Sequence, residues 1–280
     1  MNSFSSRRDF LKASGTLIAG SALIPAFARE RKAKNVGLQL YSVRNEMLAD
    51  AVGTLKKLAK IGYKELESAR SAKGNYYGLT PKEFKKVCTD LGMKLVSGHV
   101  HIDDKWKRYI DDALETGQQY LVCSSLPTSG QTIENYQKTA DIFTRAAEDC
   151  AKANIQFAYH NHDYEFEKVG DKILYDVLLD RSDAKLVKME LDLGWVVVTG
   201  NDPLVYFSKY PNRFPLWHLK DMDMVKKQST EFGKGVLNIR SMMKNAGKSG
   251  MKHFFVEQEE YTNSAFESVE HDFRYLKKMS

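Results

Sequence analysis

With 280 residues and 42% hydrophobic content, the chain is long enough for one large α/β domain and apolar enough for a packed core, which excludes a disordered tail or a small stapled scaffold. Its net charge of +6 is scattered, with lysines set between acidic residues, and this excludes the clustered basic footprint of a nucleic-acid binder. The three cysteines, Cys88, Cys123 and Cys150, lack metal-type spacing and a disulfide framework; burial as small apolar residues is expected, although one bridge is open in an oxidising compartment.

The N-terminus reads as an address. Ser6-Arg-Arg-Asp-Phe-Leu-Lys12 precedes an uncharged run from Ala13 to Pro25 and the small-x-small site Ala26-Phe27-Ala28. Together these form a twin-arginine export signal, residues 1–28, removed after Ala28, with the remaining 29–280 expected as a single periplasmic domain. Its loss removes three cations and one carboxylate and leaves about +4. The apolar run is shorter than the roughly 20 residues that span a bilayer, so no membrane span is expected after processing.

From residue 35 onward, short apolar runs alternate with amphipathic segments. Strands are predicted at Val36 to Tyr41, Tyr63 to Leu66, Lys94 to His99, Tyr120 to Ser124, Ile155 to His160, Leu186 to Leu191, Leu216 to Leu219 and His253 to Glu257. The first helix, predicted from Met47 to Ile61, places Leu48, Ala51, Leu55, Leu58 and Ala59 on one face and stops at Gly62. The next opens on Thr80-Pro-Lys-Glu83, a capping box with Pro at the first helical position, and ends at Gly92. Further helices are predicted at Asp104 to Glu115, Thr132 to Ala153, Lys172 to Leu179, Pro203 to Lys209, Leu237 to Ala246 and Ser264 to Lys278. Eight strand–helix units in alternation predict a (β/α)8 TIM barrel. A doubly wound open sheet would need a glycine-rich phosphate turn after its first strand, and Leu40-Tyr-Ser-Val-Arg44 has none.

In such a barrel, catalytic groups collect at the C-terminal ends of the strands. Here those ends carry Gln39 and Tyr41, Glu65 and Glu67, His99 and His101, His160 and His162, Glu190 and Asp192, His218 and Asp221, and Glu257 and Glu259. Glu190 and Asp192 share one face of a strand, where two inward carboxylates need a cation or protons to be tolerated. Five of the seven histidines converge on the same rim. A mixed imidazole and carboxylate set without thiolate suits one divalent Mn, Co, Zn or Fe ion better than an iron–sulfur or structural cysteine site.

Tyr159-His-Asn-His162, Glu190-Leu-Asp-Leu-Gly-Trp195, Trp217-His-Leu-Lys-Asp221 and Val256-Glu-Gln258, in this order, resemble the sugar isomerase/epimerase family with the xylose isomerase-like TIM barrel. The resemblance spans essentially all of 29–280. It implies one divalent metal held by residues of strands five to eight, and Asp192, His218 and Glu257 match three of those positions. The fourth departs from the family pattern: strand five offers His160 where a Glu is usual, so His160, or Glu190 from the next strand, completes the set. Of the paired glutamates that move a proton in the family's epimerases, only Glu257 remains by position. His160 or His162 then serves the opposite face.

The resemblance implies removal of a proton next to a sugar carbonyl, with Glu257, His162, Glu190 and Lys220 as candidate catalytic residues and Gln39, Glu67, His99, His101 and Trp195 as substrate contacts. Lys220 is expected either near the developing oxyanion or paired with Asp221. Tyr41, Tyr159, Trp195 and Trp217 are candidate pocket walls, and Gly233-Lys-Gly235 is a weak phosphate cradle or a plain turn. Export favours elimination from a 3-keto-glycoside over isomerisation or epimerisation of a cytoplasmic sugar phosphate. A non-catalytic carbohydrate-binding barrel is the reading from another class, and export and scattered charge argue against the family's DNA-repair branch. A small-molecule carbohydrate is the expected partner, with a homodimer left open.

Overall fold

A computed structural model describes residues 35–279 of the chain. The twin-arginine segment lies outside the described residues. Eight parallel strands close into a barrel in chain order: β1 (Gly37–Gln39), β2 (Glu65–Ser68), β3 (Lys94–Val100), β4 (Tyr120–Cys123), β5 (Gln156–His160), β6 (Val187–Asp192), β7 (Leu216–Leu219) and β8 (His253–Val256). The principal outer helices are α1 (Ala51–Ile61), α2 (Pro81–Asp90), α3 (Trp106–Thr116), α4 (Ile133–Lys152), α5 (Leu174–Arg181), α6 (Pro203–Lys209), α7 (Ile239–Ser249) and α8 (Ala265–Met279). Among the described residues no helix is long and apolar enough to cross a membrane.

Local chemistry sets the boundaries. Thr80 and Glu83 close the capping box at the start of α2, and Thr132 caps α4 by accepting the Asn135 amide. The segment predicted as one helix from Met47 to Ile61 breaks at Asp50, whose carboxylate accepts the Gly53 amide and starts α1 afresh after a short helix, Arg44–Ala49. Lys172 belongs to a two-stranded hairpin (Lys168–Val169 with Lys172–Ile173), so α5 begins at Leu174. A short helix that the hydrophobic spacing does not predict, Leu193–Val198, starts on Asp192, whose Oδ1 accepts the Trp195 amide.

Side-chain alternation carries each strand from an apolar floor to a polar rim. Val96, Val122, Ala158, Leu216 and Phe255 form a fully buried cluster inside the barrel, apart from the larger layer between strands and helices. Two residues further along their strands stand His160, His218 and Glu257, on the same inward face. On β3 a register shift opposite Leu66 and Glu67 breaks the alternation. Val96 therefore joins the floor, while Ser97 reaches Glu67 and His99 reaches Glu190 above it.

Candidate active site

Above the floor lies a buried layer of alternating charge. His218 is its hub: the Nε2 edge lies 2.6 Å from Glu67 and 3.2 Å from Glu190, and Nδ1 lies 2.8 Å from Glu257 and 3.9 Å from Asp192. Glu67 also accepts from the Gln39 amide and the Ser97 hydroxyl, and His99 Nε2 stands 2.8 Å from Glu190. Burial opposes the charged form of His99, but Glu67 and Glu190 outweigh it and raise the imidazole to about 9. Burial would likewise raise Glu190, yet His218 and His99 hold it down at about 2.

Two overlapping groups of four have ligand-capable atoms within 4.8 Å of one another: His99, His160, Glu190 and His218, and His160, Asp192, His218 and Glu257. The second group fits a divalent ion on its own chemistry. Burial, then the neighbouring imidazoles, lower His160 well below its ordinary value and leave it the neutral donor that a metal needs. His160 Nδ1, Glu190 Oε1 and Asp192 Oδ2 are buried without completing a hydrogen bond among the described residues. Two of them do have ionic neighbours, since Asp192 Oδ2 lies 3.0 Å from the Lys220 ammonium and His160 Nδ1 lies 3.4 Å from Glu190. We read these as charge proximity with orientation left over for a ligand. Lys220 also reaches Glu257 at 2.7 Å and Glu259 at 2.6 Å, and sits over the Trp195 ring. Against the cost of burial, Lys220 and His218 keep the Glu257 carboxyl well below the usual range.

A cavity of about 230 Å³ opens above this layer, with Tyr41, Arg70, His99, His101, Trp195 and Glu257 in its wall beside His160 and His162. The turn after β5 fixes His162. Glu165 is wholly buried and accepts from the Tyr159 hydroxyl and the His162 amide, and the Tyr164 hydroxyl meets His162 Nδ1 at 3.2 Å with the two rings stacked. Burial, with Lys220 next, lowers His162 to about 4, so the ring is neutral near pH 7. Burial raises Glu165 from 4.5 to about 7. A raised acid binds its proton more tightly in the folded chain, so its stability contribution is present at low pH and lost as pH rises from about 4.5 to about 7, on the order of 3 kcal/mol. Glu165→Gln should flatten that part of the stability profile in urea titrations; an unchanged slope would show that Glu165 does not retain a proton in the folded chain across that range.

The structure brings His99, His101, His160, His162, Trp195, Glu257 and Tyr41 to one cavity, with Glu190, Asp192, His218 and Lys220 packed directly around it. Gln39 and Glu67, expected to touch substrate, lie fully buried, Gln39 donating to Glu67 and Glu67 meeting His218. Tyr159 and Trp217 are fully buried as well, Tyr159 on Glu165 and Trp217 stacked on Phe207, so neither walls the cavity. Lys220 pairs with Asp192, Glu257 and Glu259 instead of Asp221. Asp221 turns away from this cluster, and its carboxylate accepts the amides of Met222, Gly233, Gly235 and Leu237. The glycine cradle is thus filled by the chain's own anion, and a Cβ at Gly235 would fall 2.3 Å from Asp221. The three cysteines are free and buried. Sequence reasoning missed Arg70, which follows the β2 end by two residues, and the Tyr164–Glu165 pair; position after a strand end was the only signal that could have found them.

A closed parallel barrel with this cluster at the C-terminal rim defines an enzyme scaffold of the (β/α)8 class. Residues 55–279 match the profile of the xylose isomerase-like TIM barrel, and the chain belongs to that family of sugar-processing enzymes. A solved sugar phosphate isomerase/epimerase from Parabacteroides distasonis is 30% identical, with a TM-score of 0.79 over 88% of this chain and 98% of that one. An inosose dehydratase of Geobacillus kaustophilus is 22% identical over 217 residues, covering 65% of this chain and 67% of the relative. The inosose dehydratase of Clostridium beijerinckii is 30% identical over 108 residues, 37% of this chain, and the match spans about a third (36%) of that relative's length.

Proposed function

We propose that the chain is a divalent-metal-dependent carbohydrate lyase that removes the proton next to a sugar ketone and expels the group on the carbon beyond, with a 3-keto-glycoside as substrate. The observation that carries this reading is the convergence of His160, Asp192, His218 and Glu257 within 4.8 Å beside a cavity that Glu257 itself lines. These four residues would hold the ion. When bound, it supplies Lewis acidity that favours negative charge on the substrate carbonyl oxygen.

The chain's own groups do the rest. Lys220, 2.7 Å away, keeps Glu257 ionised, and its carboxylate takes the C2 proton of a 3-keto sugar. The C2–H electron pair forms the enolate, then moves into a C1=C2 bond as the C3 carbonyl re-forms and the C1–O bond to the aglycone breaks. Glu257 returns its proton to the departing oxygen, closing the count. His99, raised to about 9, adds fixed positive charge at the cavity wall. Glu67 orients the His218 ring from below, and Tyr164 and Glu165 hold His162 against the other wall. The relatives' name also supports elimination, since a dehydratase expels water. Export through the twin-arginine signal is part of this reading and places the enzyme where glycosides, not sugar phosphates, are at hand.

The name of the Parabacteroides structure favours a second reading, isomerisation or epimerisation, in which the enolate is reprotonated and His162 serves the opposite face. The full chain with Mn or Co and a 3-keto-glucoside in D₂O separates these outcomes. Aglycone release abolished by EDTA supports elimination, C2 deuterium uptake without release supports isomerisation or epimerisation, and ligand binding with neither makes the barrel a non-catalytic carbohydrate binder.

A further inference from the structure

The catalytic cavity is small. At about 230 Å³ it falls below the roughly 300 Å³ at which pockets for larger ligands begin, so a single sugar ring fills it. Next to it lies a second cavity of about 460 Å³, lined by the segment after β2 and by the start of α3. Arg70 lines both, which sets one guanidinium beside each of the two cavities.

The charged side chains of the second cavity are four cations, Arg70, Lys73, Lys105 and Arg108, against one carboxylate, Asp112. Lys73 is committed to the Leu48 carbonyl at 2.7 Å, and Arg108 stands a loose 3.7 Å from Asp112. Arg70 and Lys105 place no side-chain nitrogen on any acceptor among the described residues. The nearby Asp103 is already engaged, accepting the Lys105 amide and the Tyr109 hydroxyl. A net positive recess with the uncommitted Arg70 guanidinium shared with the catalytic cavity matches an oxyanion, two of whose oxygens a guanidinium binds through parallel hydrogen bonds. We propose that this second cavity binds an oxyanion, a carboxylate or phosphate ester, carried on the leaving portion of the substrate, with Arg70 as its first contact. The proposal rests on the elimination reading for what the bound group is, but the site itself is testable alone.

Calorimetric titration of the full chain with 4-hydroxybenzoate, phenyl phosphate and the neutral 4-hydroxybenzamide reads the site directly. An anionic probe should bind about tenfold more tightly than the amide. That ratio should fall towards one in Arg70→Gln and fall part of the way in the more distant Arg108→Gln. Whichever anion binds better identifies the oxyanion. A ratio near one in the unaltered chain, or a ratio indifferent to both substitutions, overturns the proposal. Release of a neutral aglycone from a 3-keto-glucoside is scored separately. Arg70-dependent discrimination without release supports the oxyanion site and removes the elimination reading, whereas release without discrimination removes the site and keeps the reaction.

Discussion

Replacing Glu257 with Gln should lower the rate of aglycone release from a 3-keto-glucoside by about a thousandfold, and C2 hydrogen exchange with it. The carboxylate is the ionised group that both lines the cavity and stands within the four-residue cluster, so on the proposed reading its loss removes a proton acceptor and a metal donor together. Gln keeps the volume and leaves Lys220 with Asp192 and Glu259 as partners, so the fold should persist. Thermal unfolding by circular dichroism checks that point alongside the initial rates. A loss smaller than tenfold would move the base to His162, which lines the same cavity.

His218→Ala should have the largest effect on stability, about 3–5 kcal/mol in denaturant titrations of EDTA-treated protein. His218 is fully buried with carboxylates at both ring nitrogens, Glu257 on one side and Glu67 and Glu190 on the other. Burial opposes its charged form, but those carboxylates raise it well above its ordinary value, so it serves the metal-free chain as an internal cation. Without it, charges in a dry layer face one another with less compensation. A change below about 1 kcal/mol would show that protons, not His218, neutralise that layer.

The barrel was legible in the sequence because its signal is periodic and repeated: on β5, β7 and β8 the apolar run leads to a polar residue two positions beyond a floor residue, as Ala158 precedes His160, Leu216 precedes His218 and Phe255 precedes Glu257. For the same reason the rim residues could be named, and the same-face pairing of Glu190 and Asp192 holds, with both fully buried. Depth along the barrel axis was not legible. Gln39 and Glu67 end strands as His99 does, yet a register shift between β2 and β3 and the reach of His218 leave them below the cavity. Partner choice was equally hidden. Lys220 and Asp221 are adjacent in sequence just beyond β7, yet one side chain turns to the cluster and the other to the loop amides. The break at Asp50 and the short helix after Asp192 both arise from side-chain caps that compete with continuation, which hydrophobic spacing does not register.

The most direct test of the proposed metal centre is anomalous diffraction from crystals of the manganese-loaded chain. One strong peak is expected, bonded by His160, Asp192, His218 and Glu257. A peak held by His99, His160, Glu190 and His218 instead, or no peak at saturating manganese, would contradict the assignment.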